Sequence, residues 1–102
     1  MNNNWTKFIK NFQSYLKIER GLSQNSIDNY TLDIEKLSFY LTENQIDKTP
    51  ISITEEVVQE FIYDVSKKVN PRSQARIISG FKSFFNYLIF EDYRPDNPLE
   101  LI

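Results

Sequence analysis

Apolar and polar positions along the chain alternate at the interval of an α-helix, and no stretch shows the two-residue alternation of a strand. From Trp5, apolar or aromatic residues fall at Phe8, Ile9, Phe12, Tyr15 and Leu16. That is the i, i+3, i+4, i+7 stripe of a half-buried helix, α1, over about residues 4–18. Gly21 marks a stop and Ser23 offers an N-cap, so the stripe of Ile27, Tyr30, Ile34, Leu37 and Leu41 predicts a second helix, α2, over about 24–43. Residues 44–53 carry Asn, Asp and Pro50 without a helical stripe and read as a connecting loop. Thr54 followed by Glu55 and Glu56 is a cap with acids at the positive end of the helix dipole, and Val57, Phe61, Ile62 and Val65 predict α3 over about 55–67. Asn70-Pro71 opens α4, over about 71–91, with Ile78, Phe81, Phe85, Leu88 and Ile89 as its buried stripe. Pro95 and Pro98 forbid its continuation and give an extended tail. The pattern predicts an all-α domain of four helices.

Leu32 and Phe39 do not belong to the main stripe of α2; they lie nearly opposite it. Cover by α1, which would make α2 a two-sided core helix, is the expectation; the alternative is a partner surface.

Composition removes most kinds of chemistry. The 102 residues include no His and no Cys, so imidazole relays, thiolate nucleophiles, disulfides and Cys/His zinc sites are all excluded. With glycine only at positions 21 and 80, no glycine-rich phosphate loop can be written. Glu55, Glu56 and Glu60 include a carboxylate pair one turn apart, which solvent and the helix dipole explain without a metal. Tyr15, Tyr30 and Tyr63 lie on or beside apolar stripes, and no local constellation activates any of them. No run of apolar residues approaches the ~20 needed to span a bilayer, and the N-terminal Met1-Asn2-Asn3-Asn4 is not a secretion signal, so a cytoplasmic protein is expected.

The net charge of −2 conceals an uneven layout. Residues 21–64 hold nine acids against Lys36 and Lys48, whereas residues 65–90 hold Lys67, Lys68, Arg72, Arg76 and Lys82 with no acid. At 100° per residue, Arg72, Arg76, Ser79, Ser83 and Asn86 fall within about 40° of Arg72, opposite Phe81, Phe85 and Leu88. Ser73 and Gln74 stand at the N-terminal end of this ridge. Arg can grip phosphate or a guanine edge in two places, and Ser, Gln and Asn offer donors and acceptors for bases or phosphate. The start of α2 repeats the theme without charge, in Ser23, Gln24, Asn25, Ser26 and Asn29, with capping as the alternative role of Ser23.

The motif Tyr15-Leu16-(x)3-Arg20-Gly21-Leu22-Ser23-(x)2-Ser26-(x)3-Tyr30-(x)2-Asp33-Ile34-(x)2-Leu37-(x)3-Leu41 resembles the opening of the N-terminal, core-binding domain of tyrosine recombinases of the XerC/XerD and phage-integrase type. A second motif, Ser73-(x)2-Arg76-Ile77-Ile78-Ser79-Gly80-Phe81-Lys82-(x)2-Phe85-(x)2-Leu88 followed by Asn97-Pro98, resembles the end of the same domain. The resemblance implies a SAM-like bundle of four helices over residues 1–93 and an extended tail, 94–102, that begins the linker to an absent catalytic domain. It implies sequence-specific binding of duplex DNA as one half of a clamp, with helices α2 and α4 toward the major groove and its phosphates. Ser23, Asn25, Ser26 and Asn29 would be the α2 contacts, and Arg72, Ser73, Arg76, Ser79 and Lys82 those of α4. Asp33 would be structural.

The catalytic Arg, Lys, His and Tyr residues of such recombinases, which exchange strands through a 3′-phosphotyrosyl link without a cofactor, lie in the other domain. This chain is therefore expected to bind DNA and to cut nothing. Other recombinase subunits, in a tetramer on DNA, would be its protein partners, and no membrane or small-molecule substrate is implied. Its role would lie in chromosome-dimer resolution or mobile-element integration. Thr31 and Leu32 depart from the resemblance, since relatives often carry basic residues there. The competing expectation is a protein-interaction module using Leu32, Phe39 and the apolar tail Leu99-Glu100-Leu101-Ile102.

Overall fold

A computed structural model describes residues 3–100, and four helices are its regular structure: α1 (Asn3–Ile18), α2 (Gln24–Glu43), α3 (Glu55–Ser66) and α4 (Pro71–Phe90). No strand occurs among the described residues, and none of these helices is long and apolar enough to cross a membrane. The chain divides into two compact units, Met1–Pro50 and Ile51–Ile102.

In the first unit α1 packs on α2. Trp5, Phe8, Ile9, Phe12 and Leu16 of α1 are buried, as are Ile27, Ile34, Leu37 and Leu41 of α2. The chain turns between the helices at Gly21, whose φ of 62° is in the left-handed region, and the Leu22 N–H returns to the Leu16 carbonyl at 3.0 Å. The α2 helix closes with a non-glycine residue in the same region. Gln45 has φ 56°, its N–H donates to Thr42 O at 3.2 Å, and the Ile46 N–H donates to Leu41 O at 2.9 Å, the paired bonds of a Schellman turn. The loop that follows is tied to α1 where Trp5 Nε1 donates to the Lys48 carbonyl at 2.9 Å.

Leu32 and Phe39 are not covered. They are 57% and 62% exposed, which corrects the expectation that α1 encloses them. Asp33, one residue from Leu32, points the other way and is fully buried, with Lys36 Nζ 3.8 Å from its carboxylate.

In the second unit α3 packs on α4, with the Phe61 and Phe81 rings edge to face at 5.5 Å. The buried stripe of α3 contains Val58 where the sequence suggests Val57, and that of α4 runs through Ile77, Phe81, Phe84, Phe85 and Leu88, leaving Ile78 and Ile89 half-buried. The apolar doublets Val57-Val58, Ile77-Ile78 and Leu88-Ile89 each permit two stripes about 100° apart, and packing selects one of them.

The α4 helix ends within a residue of expectation, at a second Schellman turn with Asp92 at φ 61° and the Tyr93 N–H on Leu88 O at 2.8 Å, so that the turn closes it before either proline is reached.

Residues 94–100 are not an extended tail. Arg94 is 8% exposed and Leu99 is fully buried, because the segment folds back within its own unit. Arg94 donates from one guanidinium nitrogen to the Ile53 carbonyl at 3.1 Å and from another to Asp96 at 3.2 Å, and its guanidinium carbon lies 5.3 Å from the Phe85 ring centroid. A buried carbonyl and a buried ring thus hold a residue that composition assigns to a linker. Leu101 and Ile102, the last part of the proposed sticky tail, lie outside the described residues.

Candidate nucleic-acid interface

The cationic segment begins where α3 ends. Lys68 is paired with Asp64 at 3.2 Å, and Lys67 lies over the exposed Tyr63 ring at 4.4 Å. Asn70 then caps α4, its Oδ1 accepting the Ser73 N–H at 2.8 Å, with Pro71 fixed at the first helical position. This cap commits the Ser73 N–H, so the helix start is less open to a phosphate than an uncapped one.

Beyond the cap, Arg72, Arg76 and Ser79 are exposed along one face, followed by half-buried Ser83 and exposed Asn86. Ser73 and Lys82 are half-buried on the flanks. At the far end of the ridge, Lys82 and Asn86 line a cleft of about 440 Å³ with Ile89, Pro95, Asp96, Asn97 and Glu100. The folded tail thus brings Asp96, already paired with Arg94, and Glu100 to the flank that holds Lys82.

The start of α2 is largely committed to itself. Ser23 Oγ accepts the Ser26 N–H at 3.2 Å and donates to Ser26 Oγ at 3.1 Å, a cap that occupies the Ser23 hydroxyl and engages that of Ser26 as acceptor. Such a cap is worth about 1 kcal/mol to the helix. Gln24 Nε2 donates to Asp28 at 2.8 Å. Of the four α2 residues singled out from sequence, Asn25 and Asn29 present exposed amides not used in the cap.

The other candidate chemistries gain nothing from the fold. Glu55 accepts from Gln59 at 3.1 Å, and no group of three His, Cys, Asp or Glu able to hold a metal occurs among the described residues. A tyrosine nucleophile needs a phenol of lowered pKa. The Tyr87 phenol moves the other way, pushed up from 10.0 to about 12 by burial, with Glu91 and Tyr93 adding to the shift.

The shift predicts a pH dependence. An unfolded phenol loses its proton near 10 and the folded one near 12, so unfolding releases protons in that window. Stability is expected to be unaffected below pH 10 and to fall as pH rises from about 10 toward 12. Alkaline unfolding followed by circular dichroism should show this loss, and Tyr87→Phe should remove its part of it.

Sequence reading missed Asn97. It donates to Asn86 Oδ1 at 2.9 Å and to the Lys82 carbonyl at 3.3 Å, so a tail residue touches the ridge directly. The only local signal was the Asn97-Pro98 turn pair.

With this geometry in view, comparison with known proteins gives a consistent result. The family model for the phage integrase N-terminal SAM-like domain matches residues 9–92. A protein named tyrosine recombinase from Pseudothermotoga lettingae is 35% identical over 97 residues, covering 92% of this chain and 33% of its own length. Tyrosine recombinase XerD of Haemophilus ducreyi is 35% identical over 95 residues, 92% of this chain and 31% of its own. Tyrosine recombinase XerD of Staphylococcus epidermidis is 32% identical over 95 residues, 92% of this chain and 32% of its own. The chain therefore spans about a third of the length of the curated relatives it matches. No solved structure matches it.

Proposed function

Because this chain belongs to the phage integrase N-terminal SAM-like domain family, we propose that it binds duplex DNA as the N-terminal clamp half of a site-specific tyrosine recombinase. The observation that carries the reading is the exposed Arg72, Arg76 and Ser79 face of α4, within a segment of five cations and no acid in a chain of net charge −2. The arginines grip phosphates and set the register, and the neutral side chains farther along the helix meet base edges. Asn25 and Asn29 of α2 add a weaker contact, with Thr31 and Leu32 contributing no charge beside them.

Strand cleavage and rejoining through a phosphotyrosyl link belongs to a catalytic domain in the two-thirds of the relatives' length that this chain does not span. The parent protein works on DNA in the cytoplasm with other recombinase subunits, in chromosome-dimer resolution or mobile-element integration.

The test is binding of the chain to duplex DNA across a salt series. Non-specific binding is expected at about 10⁻⁴–10⁻⁶ M near physiological salt, tightening at low salt with a log-log slope of about −0.9 per phosphate contacted. No binding at low salt, at concentrations reaching that range, would remove the reading. A second reading, a protein-interaction module, is favoured only by the exposed Leu32 and Phe39. Light scattering separates the two, since oligomers that form without DNA would support it.

A further inference from the structure

The amide of Asn97 has one possible orientation, because two backbone groups of fixed polarity face it. The Leu99 N–H can only donate, and it meets Asn97 Oδ1 at 2.8 Å. The Lys82 carbonyl can only accept, and it meets Asn97 Nδ2 at 3.3 Å. Turning the amide over would set N–H against N–H and oxygen against oxygen. The backbone that carries Asn97 is itself held, since Pro98 and Leu99 are buried and Arg94 is anchored on the Ile53 carbonyl.

From this the orientation of a second amide follows. Asn97 Nδ2 also donates to Asn86 at 2.9 Å, so the atom of Asn86 that faces the tail must be its oxygen. The Asn86 NH₂ is then directed away from the tail, on an exposed side chain of the α4 ridge. An unconstrained Asn can offer either its donor or its acceptor and so discriminates poorly; this one is committed to donate. Asp96 and Glu100 line the same cleft as Lys82, and Arg94 pairs with Asp96, so the cleft carries no cationic surplus to draw a phosphate. An uncharged acceptor on a base edge fits better.

Resting on the DNA-binding reading above, we propose that Asn97 is a positioning residue that locks Asn86 as a hydrogen-bond donor toward the major-groove edge of DNA. The acceptors available there are guanine N7 and O6, adenine N7 and thymine O4. The tail that leaves the domain thereby sets what the end of α4 reads.

The informative variant is Asn97→Asp. It keeps an oxygen for the Leu99 N–H but places a second oxygen toward Asn86 and against the Lys82 carbonyl, a repulsion that the Asn86 amide offsets by turning to donate inward and present its own oxygen outward. Selection from a duplex library by the unaltered chain should show an acceptor-bearing base preferred at one position. Asn97→Asp should shift that position toward cytosine, which offers a donor and no acceptor of its own in the major groove, changing the preference ratio by about threefold to tenfold, the worth of one hydrogen bond. Asn86→Ala, at an exposed position that need not disturb folding, should abolish the preference there and leave other positions as they were. Arg76→Ala should weaken all sequences alike.

Side-chain amide exchange in ¹H–¹⁵N spectra of the free chain tests the orientation without DNA. Slow exchange at Asn97 and fast exchange at Asn86 is expected, and the reverse order would overturn the lock. Binding with the same base preference in Asn97→Asp and Asn86→Ala would overturn this inference alone. Absence of duplex binding by the unaltered chain would overturn the DNA reading, and this one with it.

Discussion

Replacing Arg72 and Arg76 together with alanine is expected to weaken duplex binding by about tenfold to a hundredfold at low salt, and to flatten the log-log salt dependence by roughly 1.8. Both residues are exposed, on one face of α4, in a helix without a single acid. A cation on a phosphate releases counterions whatever the sequence, so the loss should be similar for cognate and random duplexes. Arg72→Lys with Arg76→Lys keeps the charge and loses the two-pronged geometry. It should retain the slope while giving up part of the affinity. Fluorescence anisotropy of a labelled duplex between about 50 and about 200 mM salt checks both numbers. An unchanged slope in the alanine pair would mean that these arginines touch no phosphate. The fold should tolerate the change, since surface substitutions of this kind cost about 0.5 kcal/mol or less.

That face was legible in the sequence because exposure on a helix follows the same period as burial. The bounds of all four helices were legible within about a residue for a related reason: each of α2, α3 and α4 starts at a capping side chain, Ser23, Thr54 or Asn70. At the helix ends only α1 carried a mark, Gly21. Gln45 and Asp92 occupy left-handed positions that glycine usually signals, so the Schellman turns of α2 and α4 left no trace in composition.

Apolar doublets hid the register of α4, and nothing local revealed that Leu32 and Phe39 stay exposed. The folded tail was the least legible part. Its residues Pro95, Asp96, Asn97 and Pro98 are those of a linker, and what holds them is a bond from Arg94 to a carbonyl 41 positions earlier in the chain. The lock on Asn86 depends on that same segment, so Asn97-Pro98 was visible as a motif while its contact with Asn86 was not.

Arg94→Ala is expected to destabilise the Ile51–Ile102 unit by about 2–4 kcal/mol, because it leaves the buried Ile53 carbonyl without its charged donor and strips packing from the Phe85 ring. The Asp96 pair is a small part of this. The Asp96 side chain is 64% exposed and is readily solvated when alone, so Asp96→Ala should cost under about 1 kcal/mol. Arg94→Met restores much of the stem packing without the donor and should recover only part of the loss.

Ending the chain after Tyr93 removes Arg94 and also the fully buried Leu99, whose burial adds about 1.5–3 kcal/mol, so truncation should cost more than any of these substitutions. Hydrogen exchange at the α4 amides reads the second unit directly, whereas Trp5 fluorescence reports on the first. If α4 protection were the same with and without residues 94–102, the segment would be a linker after all, and the domain would end where its composition suggests. If protection falls as expected, the domain extends to about residue 100. The truncated chain should then also lose the base preference set by Asn86 while keeping the salt slope set by Arg72 and Arg76, since the tail holds the amide and not the arginines.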